Sequence, residues 1–165
     1  MNLKIDIIPS LHTIPWFLEL KPSSFDLLAQ IAEVHSFQKG DVVFREGERK
    51  DRFYILLTGQ VSIETHIPNH SDVKIFTAEP LDIIGWDSLT PIVRQRTSTA
   101  QVLSDCQLVA FNGEEVLSLC EKDHDLGFVV HRRLANIVAS QLLTTSLHLY
   151  DIIMQNAPLS TNGHS

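Results

Sequence analysis

The chain has 165 residues, a net charge of −7 at pH 7, 44% hydrophobic residues and 20% charged residues. These values are typical of one soluble globular domain, and the acidic balance argues against a general basic field for DNA, RNA or anionic membranes. Cys106 and Cys120 make neither a CxxC pair nor a disulfide framework. No stretch approaches the ~18 apolar residues of a membrane span, and the N-terminal residues lack the long apolar run of a signal peptide, so we expect a cytoplasmic protein.

The N-terminal part, residues 11–34, has the pattern of a helical region. Pro22 and the serines after it supply a helix start, and apolar residues from Phe25 to Ala32 then recur at helical spacing. Such a face packs into the core of a domain. We therefore assign this region a structural role rather than a chemical one.

Between residues 35 and 111 the apolar period shifts towards two, and turns interrupt it often. Residues 53–57 are predicted to form a buried strand, residues 58–60 a tight turn, and residues 61–64 the alternating partner strand. Two further short strands are expected around residues 100–103 and 108–111. Many short strands at this spacing predict an antiparallel sandwich or a jelly roll.

Residues 83–102 form the most distinctive segment, which we call the cassette. Gly85 opens a short helical turn that contains Asp87 and Ser88, and Arg96 and Thr97 follow before the next strand. A turn opened by glycine lets backbone N–H groups converge on an anion, and a nearby arginine adds a planar fork that matches phosphate. The cassette is therefore predicted to hold a phosphate. The alternative is that Arg96 pairs on the surface with Asp87 or Asp105.

Residues 113–154 are predicted to be helical. A short helix covers residues 114–120, and Asp123 or Asp125 can cap a second helix that runs to about Met154. That helix would be ~40 Å long, longer than a small β-roll needs. Its surplus apolar stripe favours a homodimer; the alternative is a helix that packs only on its own sheet. The stripe consists of Val130, Leu134, Val138, Leu142, Thr145, Leu149 and Ile152. Residues 1–154 are thus one predicted domain, followed by a disordered tail at 155–165.

Four segments in this order resemble the cyclic-nucleotide-binding domain of the catabolite activator protein (Crp/Fnr-like) family. Residues 37–47 and 53–61 look like its first two hairpins, the cassette supplies its glycine and arginine, and residues 133–146 look like its long helix. The resemblance implies a mainly β fold with flanking helices: a double-stranded β-helix (jelly roll, cupin-like) followed by a long C-terminal dimerisation helix. It also implies cyclic AMP or cyclic GMP as ligand, with no other cofactor. Thr145 and Ser146 fall where hydroxyls that contact the base can occur.

Two departures from the family pattern bear on function. Trp86 stands where the family has a glutamate that accepts the ribose 2′-hydroxyl; Asp87 is one residue further along. Trp86 is expected either to narrow or close the pocket or to stack on a flat ligand. Only eleven residues follow Met154, too few for a helix-turn-helix, so we expect a protein partner of unknown identity rather than direct DNA binding.

Enzyme motifs are absent from the sequence. The eight histidines contain no His-x-His pair of the cupin type, and there is no Gly-x-Ser-x-Gly, Walker or GxGxxG motif. We expect no catalytic or metal-binding residues. The sequence favours a regulatory module that binds a cyclic nucleotide or similar phosphate-bearing molecule at Gly85, Trp86, Asp87, Ser88, Arg96, Thr97, Thr145 and Ser146. The alternative is a degenerate dimeric module whose pocket Trp86 closes.

Overall fold

The structure, a computed structural model, describes residues 7–69 and 71–156. Three short helical segments open the described chain: α1 (Ile7–His12), a 3₁₀ helix (Pro15–Glu19) and α2 (Pro22–Ile31). A proline begins the second and third segments, at the position where its missing N–H costs nothing. The predicted helical region is therefore divided into pieces, and its last residues already belong to the first strand.

Within the described residues, six strands form one antiparallel sheet, in the order β1-β6-β3-β4, with β2 paired to β6 and β5 paired to β3. The strands are β1 (Glu33–Phe37), β2 (Val42–Phe44), β3 (Arg52–Thr65), β4 (Val73–Ala78), β5 (Ile83–Ile84) and β6 (Thr99–Asn112). The first half of β3 pairs with β5 and its second half pairs with β4. The roll therefore presents β4 and β5 next to each other along one side of β3.

The predicted turn at residues 58–60 is wrong, since β3 runs through it as one strand of 14 residues. Its partner β6 is also a single strand of 14 residues, where two short strands were expected. The register between β3 and β6 shifts three times between Leu56 and Val61. Gly59 has φ +84° there, so the glycine serves a bend within a strand rather than a hairpin turn.

Two hydrophobic clusters hold the fold together. One lies inside the roll and includes Leu56, Val61 and Leu108, which are fully buried. The other joins the outer face of the sheet to the helices, with Phe17, Phe111 and Leu126 at its centre. Alternate residues of the long strands supply the two clusters, as the period of two requires. The mainly β fold with flanking helices and a long C-terminal helix is confirmed.

Two helices end the described chain, α3 (Gly113–Lys122) and α4 (His124–Asn156). Asn112 caps α3 through its side chain, which accepts from Glu115 N–H. Asp123 Oδ1 accepts from the N–H groups of Asp125 and Leu126 at 3.1 Å each, so Asp123 is the cap of the two candidates. The predicted disordered tail at 155–165 begins inside α4, and its residues from 157 onward lie outside the described part.

The second half of α4 projects apolar side chains into solvent. The predicted stripe packs against the core at Val130 and Leu134, but Leu142 is 66% exposed and Leu149 57% exposed. The segment His124–Gln155 is long and apolar enough to cross a membrane by length and composition, with a mean hydropathy of 1.2 over an 18-residue window. Length and composition are shared by membrane spans and by helices that pair with another protein.

Candidate ligand-binding site

The turn of the cassette begins at Gly85, which lies in the left-handed region at φ 71° and precedes the 3₁₀ helix Trp86–Leu89. A Cβ atom at this position would stand 2.7 Å from Nη1 of Arg96 and 3.1 Å from the carbonyl oxygen of Arg52. Both the backbone conformation and the space therefore require glycine. The guanidinium of Arg96 lies directly against the glycine that opens the turn.

Arg96 points into the protein and is neutralised there. Its Nη1 donates to Asp87 Oδ1 at 2.5 Å and to the Gly85 carbonyl at 3.1 Å, and its Nη2 donates to the Arg52 carbonyl. The side chains of Arg96 and Asp87 are 1% and 4% exposed, and the guanidinium carbon lies 4.3 Å from the Phe44 ring centroid. The sequence named Asp87 as a possible partner on the surface; the pair is instead buried.

Lys50 contacts the C-terminal end of the 3₁₀ helix in the cassette. Its Nζ donates to the carbonyl of Asp87 at 2.7 Å and to the carbonyl of Thr90, which closes the last turn of the 3₁₀ helix. Burial lowers the pKa of Lys50 because desolvation disfavours the ammonium form. The Asp87 segment is therefore fixed by two cations, Arg96 at the carboxylate and Lys50 at the backbone.

Trp86 connects the cassette to α4. Its indole Nε1 donates to Gln141 Oε1 at 2.8 Å, and the rest of the half-buried ring packs against the outer hydrophobic cluster. An indole N–H that is partly buried needs an acceptor, and the helix supplies one. Trp86 thus couples the roll to α4 at the position where the family's glutamate would face the ligand.

A small cavity of about 90 Å³ lies beside the cassette. Its lining includes five of the predicted site residues, Gly85, Trp86, Asp87, Thr97 and Thr145. Ligand pockets usually have volumes of about 300–1,000 Å³. This cavity therefore accommodates a few water molecules rather than a nucleotide.

A larger cavity of about 340 Å³, which we call the groove, adjoins the small one between β4, β5 and α4. The two share Ile75, Phe76 and Gln141. The remaining lining residues of the groove are Asp82, Ile83, Arg133, Asn136, Ile137, Ser140 and Thr144. Its volume falls within the range of ligand pockets, and its walls combine apolar and polar side chains as such pockets do.

The sequence profile of the cyclic nucleotide-binding domain family matches residues 34–123, which include the roll, the cassette and α3. The chain belongs to the cyclic nucleotide-binding domain family. This is a family of regulatory domains, and the matched residues include Gly85, Arg96 and Thr97 of the cassette.

Known relatives agree with this assignment. A CRP-like cAMP-activated global transcriptional regulator of Mycobacterium tuberculosis is 26% identical over 142 residues, which cover 86% of this chain and 61% of that protein. The chain thus spans about three fifths of the length of this curated relative. A cyclic nucleotide-binding domain from Methylobacillus flagellatus superposes with a TM-score of 0.74 at 17% identity and covers 94% of this chain and 87% of its own.

A third likeness is to the sensor domain of the transcriptional regulator DNR from Pseudomonas aeruginosa. It has a TM-score of 0.68 at 21% identity and covers 97% of this chain and 99% of its own. Both structural likenesses are below 25% identity, so they establish the fold of this cyclic nucleotide-binding domain and not its ligand.

Three predicted site residues of this cyclic nucleotide-binding domain lie away from both cavities. Arg96 is buried behind the cassette, Ser88 is buried in the 3₁₀ helix, and Ser146 is on an exposed side of α4. Sequence reasoning missed Gln141 and Arg133. Each lies four residues from Ile137 along α4, one on either side of it. This spacing places both on the helix face towards the roll, offset from the predicted stripe.

Proposed function

We propose that this chain is a non-catalytic, cytoplasmic regulatory module that binds a cyclic nucleotide or similar phosphate-bearing small molecule between the β-roll and α4. The groove carries this proposal. It is large enough for a small molecule, it lies at the family's roll–helix boundary, and it is bordered on opposite sides by β-strands and by α4. A ligand there would contact both parts of the domain at once.

Binding in the groove would act on the position of α4. Among the described residues, the Trp86–Gln141 bond is the one side-chain hydrogen bond that joins the roll to α4. Apolar contacts up to Ile137 fix the first part of α4 on the sheet, so the two arrangements that we propose for α4 differ around Gln141, where this hydrogen bond contributes about 0.5–1.5 kcal/mol net. A ligand that prefers one arrangement shifts the population towards it, and the helix passes the change to a protein partner.

The exposed face of α4 fits a second copy of this chain. Leu142, Leu149 and Ile153 lie on one face of α4 and are all more than half exposed, and a contiguous apolar face of this kind marks an interaction surface. Pairing of two α4 helices would bury the same patch on both copies, as a two-fold dimer requires. Sedimentation of the purified chain without detergent should give a dimer; a monodisperse monomer at micromolar concentration would contradict this part.

A second candidate function is a dimeric interaction module with a closed cassette. The buried Arg96–Asp87 pair favours it, because an incoming phosphate would have to displace Asp87 from the arginine. The small volume beside the cassette favours it as well. In this candidate function Trp86 acts as packing, and the groove stays empty.

A thermal-shift titration with cyclic AMP, cyclic GMP and 5′-AMP separates the two candidates. A ligand at ~100 times its dissociation constant stabilises the folded chain by about 2.7 kcal/mol. For a domain of this size that corresponds to about 5–10 °C in Tm. A saturable shift with any of the three supports the ligand-binding module, and the absence of a shift with all three favours the closed one.

A further inference from the structure

Arg133 lines the groove without a counter-ion. Its Nε is buried and has no hydrogen-bond partner, and its guanidinium forms no ion pair with any residue in 7–69 or 71–156. Three other arginines of the described chain are paired, Arg52 with Glu33, Arg96 with Asp87, and Arg132 with Glu19. The remaining three, Arg45, Arg49 and Arg94, are exposed, whereas Arg133 is partly buried. A buried donor without a partner is costly, so this group is suited to an anion that arrives from outside.

The rest of the groove fits the other parts of a nucleotide. Phe76, Ile83 and Ile137 supply an apolar and aromatic wall on which a flat ring can lie. Asp82, on the turn between β4 and β5, adds a carboxylate that accepts from hydroxyl or amino groups. Asp82 and Arg133 line the same cavity, and Asp82 Oδ2 accepts from the Glu79 N–H. A molecule that carries both an anion and a hydrogen-bond donor can contact Arg133 and the other carboxylate oxygen of Asp82 at once.

We propose that Arg133 is the anion-binding residue of this chain and that the groove takes a nucleotide, with its phosphate on Arg133 and its base against Phe76. This inference rests on the proposed function, that a small anion binds between roll and helix, and it specifies the site. In this proposal the phosphate-binding charge is on α4 and not at Arg96 of the cassette. Because Arg133 is part of α4, the bound phosphate contacts the same helix that we propose as the partner interface.

The test compares Arg133→Gln with Arg132→Gln by isothermal titration calorimetry with cyclic AMP, cyclic GMP and 5′-AMP. Both variants lose one positive charge from adjacent positions of α4, and Arg132 is half exposed and faces Glu19 rather than the groove. We expect Arg133→Gln to raise the Kd of the bound nucleotide at least 10-fold and Arg132→Gln to change it less than 2-fold. Arg133→Lys should lie between, since it keeps the charge and loses the fork.

The outcomes separate the site from the function. If a nucleotide binds the wild-type chain and Arg133→Gln binds it equally well, the proposed function stands and the role of Arg133 is refuted. If none of the three nucleotides binds the wild-type chain, both the proposed function and the role of Arg133 are refuted. A second measurement avoids dependence on the variant's folding: the ¹⁵Nε–¹H resonance of Arg133 in the wild-type chain should shift on saturation with the nucleotide, and an unmoved resonance under saturation overturns the proposal.

Discussion

Replacing Asp87 with asparagine removes the charge of the Arg96 counter-ion while keeping the size of the side chain. Because both partners are almost completely buried, the variant leaves a guanidinium without a compensating charge inside the roll. Breaking a buried ion pair from one side costs about 3–5 kcal/mol. The carbonyls of Gly85 and Arg52 still accept from Arg96, so we expect a value near the lower end, about 3 kcal/mol.

Urea unfolding at pH 7 measures this loss as a lower midpoint with an unchanged m-value. A loss of this size is a large fraction of the 5–15 kcal/mol that stabilises a typical domain. Glu33→Gln is the matched control, because it removes the carboxylate of the Arg52 pair, where Glu33 is 56% exposed. Exposed pairs contribute less than about 1 kcal/mol.

Equal and small losses in Asp87→Asn and Glu33→Gln would refute the reasoning. Arg96 would then not depend on Asp87, and its guanidinium would be available to a phosphate as the family pattern implies. A further consequence separates the two possibilities. In Asp87→Asn the freed guanidinium should bind inorganic phosphate, so phosphate should raise the Tm of the variant more than that of the wild-type chain.

Three other outcomes follow from the fold. Gly59→Ala should lower the free energy of unfolding by more than the ~1–3 kcal/mol of a strained backbone. Besides the positive φ, a Cβ at this position would stand 2.5 Å from the Asp105 carbonyl oxygen. Urea unfolding measures the loss, and a loss below 1 kcal/mol would contradict this expectation. If the proposed dimer forms through α4, Leu149→Glu should give a monomer in sedimentation with little change in the far-ultraviolet spectrum, and an intact dimer would exclude this face as the interface. Burial raises the pKa of Cys120 to about 11 and also raises the pKa of Cys106. Both thiols should therefore react with a disulfide reagent at pH 8 only when the chain unfolds, and fast labelling of the folded chain would contradict their burial.

Local signals in the sequence predicted an antiparallel sandwich or jelly roll and the cassette turn, and the family resemblance supplied the specific roll-and-helix architecture. A glycine before a short polar turn specifies a left-handed residue, and the structure has one at Gly85. The period of two between residues 35 and 111 and the long helical pattern after Asp123 depend on neighbours in the chain, so both were recognisable. The turn predicted around Gly59 was wrong because a bend inside a strand uses the same residue type as a hairpin turn.

The candidate site depended on contacts that sequence spacing does not contain. Whether Arg96 points outward or inward is decided by Asp87 and by the Phe44 ring, which lie nine and 52 residues away along the chain. The groove is created by the angle at which α4 passes β4 and β5, which no local pattern specifies. Arg133 and Gln141 were therefore missed. Of the two predicted hydroxyl residues, Thr145 lines the small cavity and Ser146 lies away from both cavities.

The fluorescence of Trp86 tests most directly whether the boundary between roll and helix is the ligand site. Trp16 is buried among the N-terminal helices, and Trp16→Phe leaves Trp86 as the one indole, hydrogen-bonded to Gln141 on α4. Titration with cyclic AMP, cyclic GMP or 5′-AMP should shift its emission saturably, at the concentration that also raises Tm. An emission that stays constant while calorimetry detects binding would place the ligand elsewhere and contradict the account.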